Sequence, residues 1–347
     1  LFVSNTCVPT VIGDDVESVV KRVRSSSGRE ILYLTVSPRS MTNVFSDLLV
    51  ERRLKAESVA EKAPENTVNL VGFSGLRGRG EIEELLGRVG IRVNERILPD
   101  LDSTLIENLP RARLNVLCPN QLWQHLYDQL LQGSRLSHIV PPAPYGWDGT
   151  KEWLVAIASQ FGLEKRAREV FDEYVEKSSL RYSALKEQAS DLRLGFVVRD
   201  DQAYYLTSPP STWGIPLLSS LEEMGFGIDI LVRVSEAEVA QEAARSIRNA
   251  FRQPARHSIR AFDSFAFLRQ RLMDSPAQAF LSYHFFDWRL SEAGKGFFST
   301  QHFEMGTYGA IRTLERLIGV CRTPFYGKYS KYLSRTSTGL RKDGGKG

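Results

Sequence analysis

The sequence predicts an α/β protein of repeated parallel-sheet domains, the first of them partial. Three observations carry that expectation. Short apolar runs of strand type alternate with longer stretches of helical spacing along nearly the whole chain, the pattern of parallel sheets covered on both faces. Runs such as LRLGFVVRD (192–200) read as buried strands. At 347 residues the chain is too long for one small core, so two or three compact units are expected.

The first unit, residues 1–66, opens on the strand LFVSNT (1–6). A helix follows from Val11 to Val23 with Asp14 and Asp15 at its front, where acidic groups suit the free N–H groups and the dipole. The strand ILYLTV (31–36), the helix TNVFSDLLVERRL (42–54) and a linker over 55–66 complete it. The second unit, 67–163, starts at the strand TVNLVGF (67–73). Helix EIEELLGRVG (81–90), strand IRVNERIL (91–98), a segment around DSTLIENLP (102–110), strand ARLNVLC (112–118) and helix NQLWQHLYDQLL (120–131) follow. After the turn-rich PPAPYGWDGT (141–150), Asp148 or Thr150 is expected to cap a helix over 151–162. A polar helix, 164–190, bridges to the third unit, 191–325. That unit reads as strand 192–200, loop SPPSTWG (208–214), helix 215–225 ending at Gly225, strand 228–234, helix 235–251, strand AFLSYHFF (279–286) and helix GTYGAIRTLERLIGV (306–320). Residues 326–347 form a basic, flexible tail.

Charge and composition exclude several classes. The formal net charge is +4, yet the tail alone holds Lys328, Lys331, Arg335, Arg341, Lys342 and Lys346 against Asp343, a balance of +5. The folded body is therefore near neutral, without the clustered charge that nucleic acid requires. No apolar run reaches the roughly 18–20 residues of a membrane span. The chain opens on Leu1-Phe2-Val3, with neither an initiator Met nor a charged leader, and reads as starting inside a strand with residues expected upstream. Three cysteines, Cys7, Cys118 and Cys321, stand far apart. They form no C-x-x-C motif and no disulfide framework, which leaves a reducing cytoplasm as the expected compartment.

Few motifs carry chemistry. GFSGLRGRG (72–80) lacks the G-x-G-x-x-G order of a dinucleotide loop; a surface turn is expected, with an anion at the following helix start as the alternative. There is no H-x-x-x-H, G-x-S-x-G or Walker A pattern. His125 falls within an amphipathic helix, His138 in a loop and His257 among basic residues. His284 and His302 follow a strand of the third unit, where open sheets bind ligands, and are the better site candidates. Cys7 stands just after a strand and before a capped helix. Asn5-Thr6 and Val8-Pro9 place its thiol in a turn, where a thiolate could hold a soft metal or an iron–sulfur cluster.

With these residues in view, NTCVPTVIGDDVESVV (5–20) resembles the cysteine segment of the nitrogenase component 1 family. There a Cys, followed by a short turn and Ile-Gly-Asp-Asp-(Ile/Val)-Glu, ligates a cluster at a subunit interface. TVNLVGF, LDSTLIENLPRARLNVLCPN, PYGWDGTKEWLVAIASQFG and MGTYGAIRTLERL resemble further family segments in the same order. The family spans molybdenum-iron protein subunits, the scaffold pair that matures their cofactor, tetrapyrrole reductases and methylthio-alkane reductase.

The resemblance implies repeated Rossmann-like domains with parallel sheets. It implies that Cys7 is a metal ligand, with the thiolate aided by the adjacent helix N-terminus. One cysteine cannot hold a cluster that takes about four ligands. A [4Fe-4S] or larger iron–sulfur cluster would therefore be shared with a partner subunit or with upstream ligands. Cys118 lies within one residue of the family's catalytic-cofactor cysteine, so it is either a cofactor ligand or a buried structural thiol. Met305 stands where a family histidine binds molybdenum, with His302 three residues earlier; a thioether is a poor substitute, which disfavours dinitrogen reduction.

The function implied is one subunit of a two-component reductase. A paralogous component 1 subunit, in a heterotetramer or homodimer, and an ATP-dependent iron–sulfur reductase are the implied partners. His284, His302 or Asp287 would supply protons to a tetrapyrrole or a small sulfur or nitrogen compound. The alternatives are a scaffold for assembling a complex metal cluster, and a non-enzymatic module binding a metal chelate or other solute.

Overall fold

The computed structural model describes residues 2–4, 12–29, 31–34, 64–73, 76–98, 103–131, 137–283 and 288–323. Cys7, His284, Asp287, the expected helix 42–54 and the basic tail lie outside the described residues. In the first unit, β1 (Phe2–Ser4) and β2 (Leu32–Leu34) pair in parallel, with Phe2 opposite Leu32, and α1 (Val16–Ser27) connects them. Asp15 caps α1, its carboxylate accepting from Ser18 N–H at 3.1 Å, and Gly28 ends it in the left-handed region.

The middle unit runs β3 (Thr67–Val71), α2 (Arg79–Val89), β4 (Arg92–Ile97), α3 (Ser103–Asn108), β5 (Leu114–Leu117), α4 (Gln121–Leu131) and β6 (His138–Ile139). Its four strands are all parallel in the order β4-β3-β5-β6. Every residue of β3 and β5 is buried, which is why TVNLV and LNVL read as near-continuous apolar runs. Their two asparagines stay satisfied. Asn69 Nδ2 donates to Asn115 Oδ1 and to Leu109 O at 2.9 Å each, and Asn94 Nδ2 donates to Asn69 Oδ1.

Helices α5 (Gly146–Ser159) and α6 (Glu164–Ser190) lead to the third unit. It comprises β7 (Arg193–Arg199), α7 (Tyr204–Thr207), α8 (Leu217–Glu223), β8 (Gly227–Arg233), α9 (Ala237–Asn249), β9 (Ser258–Phe262), α10 (Phe265–Asp274), β10 (Ala279–Ser282), α11 (Trp288–Glu292), β11 (Gly296–Phe297) and α12 (Thr307–Arg322). Five parallel strands lie in the order β11-β10-β7-β8-β9. One continuous core joins the two sheets, running from Val68 and Trp153 through Phe171 of α6 to Phe196 and Leu314. Among the described residues no helix is long and apolar enough to cross a membrane.

Some local expectations are corrected. Helix α5 begins at Gly146, ahead of Asp148 and Thr150, so neither is its N-cap. His138 is in β6 rather than in a loop. Strand β9, helix α10 and strand β11 carry no strong sequence signal: β9 (SIRAF) is only half-buried along most of its length, and β11 is two residues long.

Candidate functional site

In an open parallel sheet, ligands collect beyond the carboxyl ends of the strands, where the strand order reverses. In the middle sheet that reversal falls between β3 and β5, whose ends deliver Gly72 and Cys118. In the third sheet it falls between β7 and β10. His284 and Asp287 follow β10 directly in sequence and lie outside the described residues.

The corner around Cys118 is closed. The side chain is fully buried, and its thiol donates to Trp213 O at 3.9 Å. Burial pushes the thiol pKa up to about 12. The hydroxyl of Tyr127 donates to Cys118 O at 3.1 Å and lies where a side chain on Gly72 would project. Gly72, at φ +85°, is required for that approach. From the third unit, Gly214 presses on Ala143 and Pro119: a Cβ there would sit 2.7 Å from Ala143 Cβ and 3.2 Å from Pro119 O. Among the described residues no group of three His, Cys, Asp or Glu side chains is placed to hold a metal. A metal needs an approachable sulfur, and among the described residues the Cys118 side chain is fully enclosed. Its surroundings do not fit a metal–sulfur group; they fit the structural thiol.

In the described part of the glycine-rich segment, Arg77 and Gly78 pack against the third unit rather than forming a plain surface turn. Gly78, at φ +86°, starts α2 against the backbone of Met305: a Cβ there would meet Met305 N at 2.8 Å and C at 2.9 Å. Met305 N donates to Arg77 O, and Met305 pairs with Tyr145 in an antiparallel bridge. The third unit thus docks backbone to backbone onto the middle one.

Two carboxylates fasten that junction reciprocally. Glu81 of α2 reaches the N-terminus of α12, where Oε1 accepts from Thr307 Oγ1 at 2.8 Å and from Tyr308 N–H at 2.9 Å, and Oε2 accepts from Gly309 N–H at 3.1 Å. Glu223 of α8 reaches the N-terminus of α5, where Oε1 accepts from Trp147 N–H at 2.7 Å and from Tyr182 Oη at 3.1 Å. Each satisfies free N–H groups and the helix dipole from another unit. Gly306 and Gly146 leave the room, because a Cβ at either would run into the corresponding carboxylate. Burial raises the pKa of Glu223. Sequence reasoning missed both residues; a Gly at or just ahead of a helix start with no capping side chain was the available signal.

His302 lies in a short helical turn, Thr300–His302, where Nδ1 accepts from Ser299 N–H at 3.1 Å as part of a capping box. Burial lowers its pKa. His257, read from sequence only as one residue among basic neighbours, is buried: Nδ1 accepts from Ile228 N–H at 3.2 Å and Nε2 lies 3.1 Å from Glu222 Oε1.

Beside the Cys118 corner an open cleft of about 460 Å³ separates the units. Its walls come from Pro119 after β5, from the segment between β6 and α5, and from the 209–223 segment of the third unit. Two parallel α/β units with a cleft between them and a closed thiol corner beside it define an interdomain-cleft α/β protein.

The sequence comparisons narrow that class. Residues 1–282 match the nitrogenase component 1 type oxidoreductase family, and the chain belongs to it. The nitrogenase iron-molybdenum cofactor biosynthesis protein NifE of Nostoc sp. (strain PCC 7120) is 22% identical over 228 residues, 63% of this chain and 47% of that protein. A light-independent protochlorophyllide reductase subunit of Acaryochloris marina is 23% identical over 199 residues, 53% of this chain and 39% of that protein. The chain therefore spans about half the length of the curated relatives it matches. The solved structure of nitrogenase Cp1 at pH 5 shares the fold, with a TM-score of 0.63 at 15% identity, covering 94% of this chain and 71% of that one.

Proposed function

We propose that the chain is a subunit of a nitrogenase-like two-component reductase, with Cys7 as one ligand of an iron–sulfur cluster at a subunit interface. The observation that carries this reading is the cysteine segment itself. Cys7 is followed by Ile12-Gly13-Asp14-Asp15 and then by a helix that Asp15 caps, within a family match that covers residues 1–282. A negative thiolate gains from a nearby helix N-terminus, and the closed corner at Cys118 leaves Cys7 as the better sulfur donor. The remaining ligands come from a paralogous component 1 subunit. Electrons come from an ATP-dependent iron–sulfur protein, in a reducing cytoplasm.

When bound, the cluster supplies one-electron transfer. This chain contributes the Cys7 sulfur, a rigid two-sheet body and the groups after β10. Proton supply is assigned to His284, His302 or Asp287; in His302 Nδ1 accepts from Ser299 N–H, which leaves Nε2 as the atom that carries the proton. A tetrapyrrole or a small sulfur or nitrogen compound is the substrate class.

A second reading has a specific observation in its favour. Several of the matched relatives are cofactor biosynthesis proteins, which supports a scaffold that assembles and hands on a metal cluster. Anaerobic turnover separates the two. With ATP and the iron–sulfur donor protein, a reductase complex consumes reductant in proportion to reduced product. A scaffold transfers iron to an acceptor apoprotein and reduces no substrate beyond a single equivalent.

A further inference from the structure

We infer that the surface where β8 ends and α10 and α11 begin docks an acidic segment of another polypeptide, through Phe265, Phe267, Trp288 and the guanidiniums of Arg233 and Arg289. This goes beyond the reductase reading and depends on neither Cys7 nor the interdomain cleft. Leu268 and Leu272 of α10 and Leu290 of α11 pack with Leu231 and Phe280 of the third sheet, which seats both helices on one face of it. Their first turns carry aromatic rings that this core does not take up. Phe267 is 58% exposed and Trp288 57%. Arg233, the last residue of β8, places its Cζ 4.6 Å from the centroid of the Phe265 ring. Arg289 Cζ lies 3.9 Å from the same centroid and 5.1 Å from that of Trp288. Two like charges are thus held on one ring. For the Arg233 side chain that ring is the one partner among the described residues.

A guanidinium stacked on a ring keeps its N–H edge for a carboxylate. Stacking has already restricted its rotamers, so less entropy is lost when a partner arrives. Exposed Trp, Phe and Arg together are the composition of interface hot spots rather than of ordinary surface. Charge selects the occupant. The chain's own tail, 326–347, carries a balance of +5, and a second copy brings the same arginines, so both are repelled. A nucleic acid needs a track of cations. Here Asp263 is exposed just after β9, and Glu292 of α11 lies 3.6 Å from Arg269. Those flanking carboxylates repel a phosphate backbone, while the arginine pair still accepts one or two carboxylates. An acidic segment that also carries an aromatic side chain satisfies both halves of the surface.

The test uses the full chain, isotope-labelled at its tryptophan indoles, and three probes: a blocked peptide alternating phenylalanine with aspartate, the same peptide with lysine for aspartate, and single-stranded oligothymidylate. The acidic peptide is expected to move the Trp288 indole NMR signal, assigned with Trp288→Phe, with a Kd of about 0.1–1 mM. The lysine peptide and oligothymidylate leave that signal in place. Phe267→Ala weakens the acidic peptide by about fivefold and leaves the thermal midpoint unchanged, because the ring is largely in water. Arg233→Glu combined with Arg289→Glu reverses the preference: the lysine peptide binds and the acidic one weakens by at least about tenfold. Equal binding of the two peptides overturns the assignment. So does an unmoved Trp288 signal at about 10 mM acidic peptide, oligothymidylate binding ahead of the acidic peptide, or a folded charge-reversed protein that keeps the wild-type preference. If the charge-reversed protein does not fold, Phe267→Ala decides in its place, and unchanged binding of the acidic peptide overturns the assignment.

Discussion

Burial decides how the titratable side chains of this protein behave. Cys118 and Cys321 are both sealed, with thiols pushed up to about 12. Native protein at pH 8 should therefore alkylate at both positions roughly a thousandfold more slowly than a free thiol, since the thiolate is the nucleophile. Mass spectrometry of iodoacetamide-treated native and unfolded chains checks this; rapid native labelling of Cys118 would reopen it as a ligand. His257 and His302 have pKa values lowered by burial from 6.5. Their neutral forms are favoured in the fold, so the unfolded chain takes up protons first as pH falls. Stability is present above about pH 6.5 and is lost as pH drops below it, toward the folded-state values. Urea midpoints should decline between pH 7 and 5.5. A His257→Gln, His302→Gln double variant should start lower and decline less steeply.

At the scale of elements, helix starts were harder to read than strands. TVNLV and LNVL were legible because strands buried on both faces leave continuous apolar runs. The start of α5 was not legible, because its cap is Glu223, contributed from 76 residues further along the chain. No local rule finds a capping group supplied by another unit. The glycine-rich turn misled for the same reason: what Gly78 accommodates is the backbone of Met305. These contacts set the expected energetics. Glu81→Ala leaves the α12 N-terminus without its acceptor and should cost about 2–3 kcal/mol, with Glu81→Gln milder. Gly78→Ala combines positive φ with a backbone clash and should cost at least as much. Gly87→Ala, at an exposed helical position with open space around it, should instead stabilise by about 0.5–1 kcal/mol. Urea denaturation of the four variants checks the order; a neutral Gly78→Ala would refute the docking role of that turn.

For the whole molecule, the alternation of strands and helices was enough to place two parallel sheets, and the ordered segments from Cys7 to the α12 helix were enough to place the family. What the sequence concealed is how the units meet: Glu81 and Glu223 each plug a helix of another unit, and the shared core runs from Val68 to Leu314. The middle and third units should therefore unfold in one transition, with circular dichroism and tryptophan fluorescence coinciding, and Glu81→Ala combined with Glu223→Ala should separate the two curves. This rigid body is the support on which the proposed redox role depends, and the proposal places the metal ligand at Cys7 among the three cysteines. The most direct measurement is iron content, with electron paramagnetic resonance, of the full-length chain purified anaerobically with its partner subunit, as wild type, Cys7→Ala and Cys118→Ala. The account predicts that Cys7→Ala loses iron and signal while Cys118→Ala keeps both. Unchanged iron and signal in Cys7→Ala would contradict it.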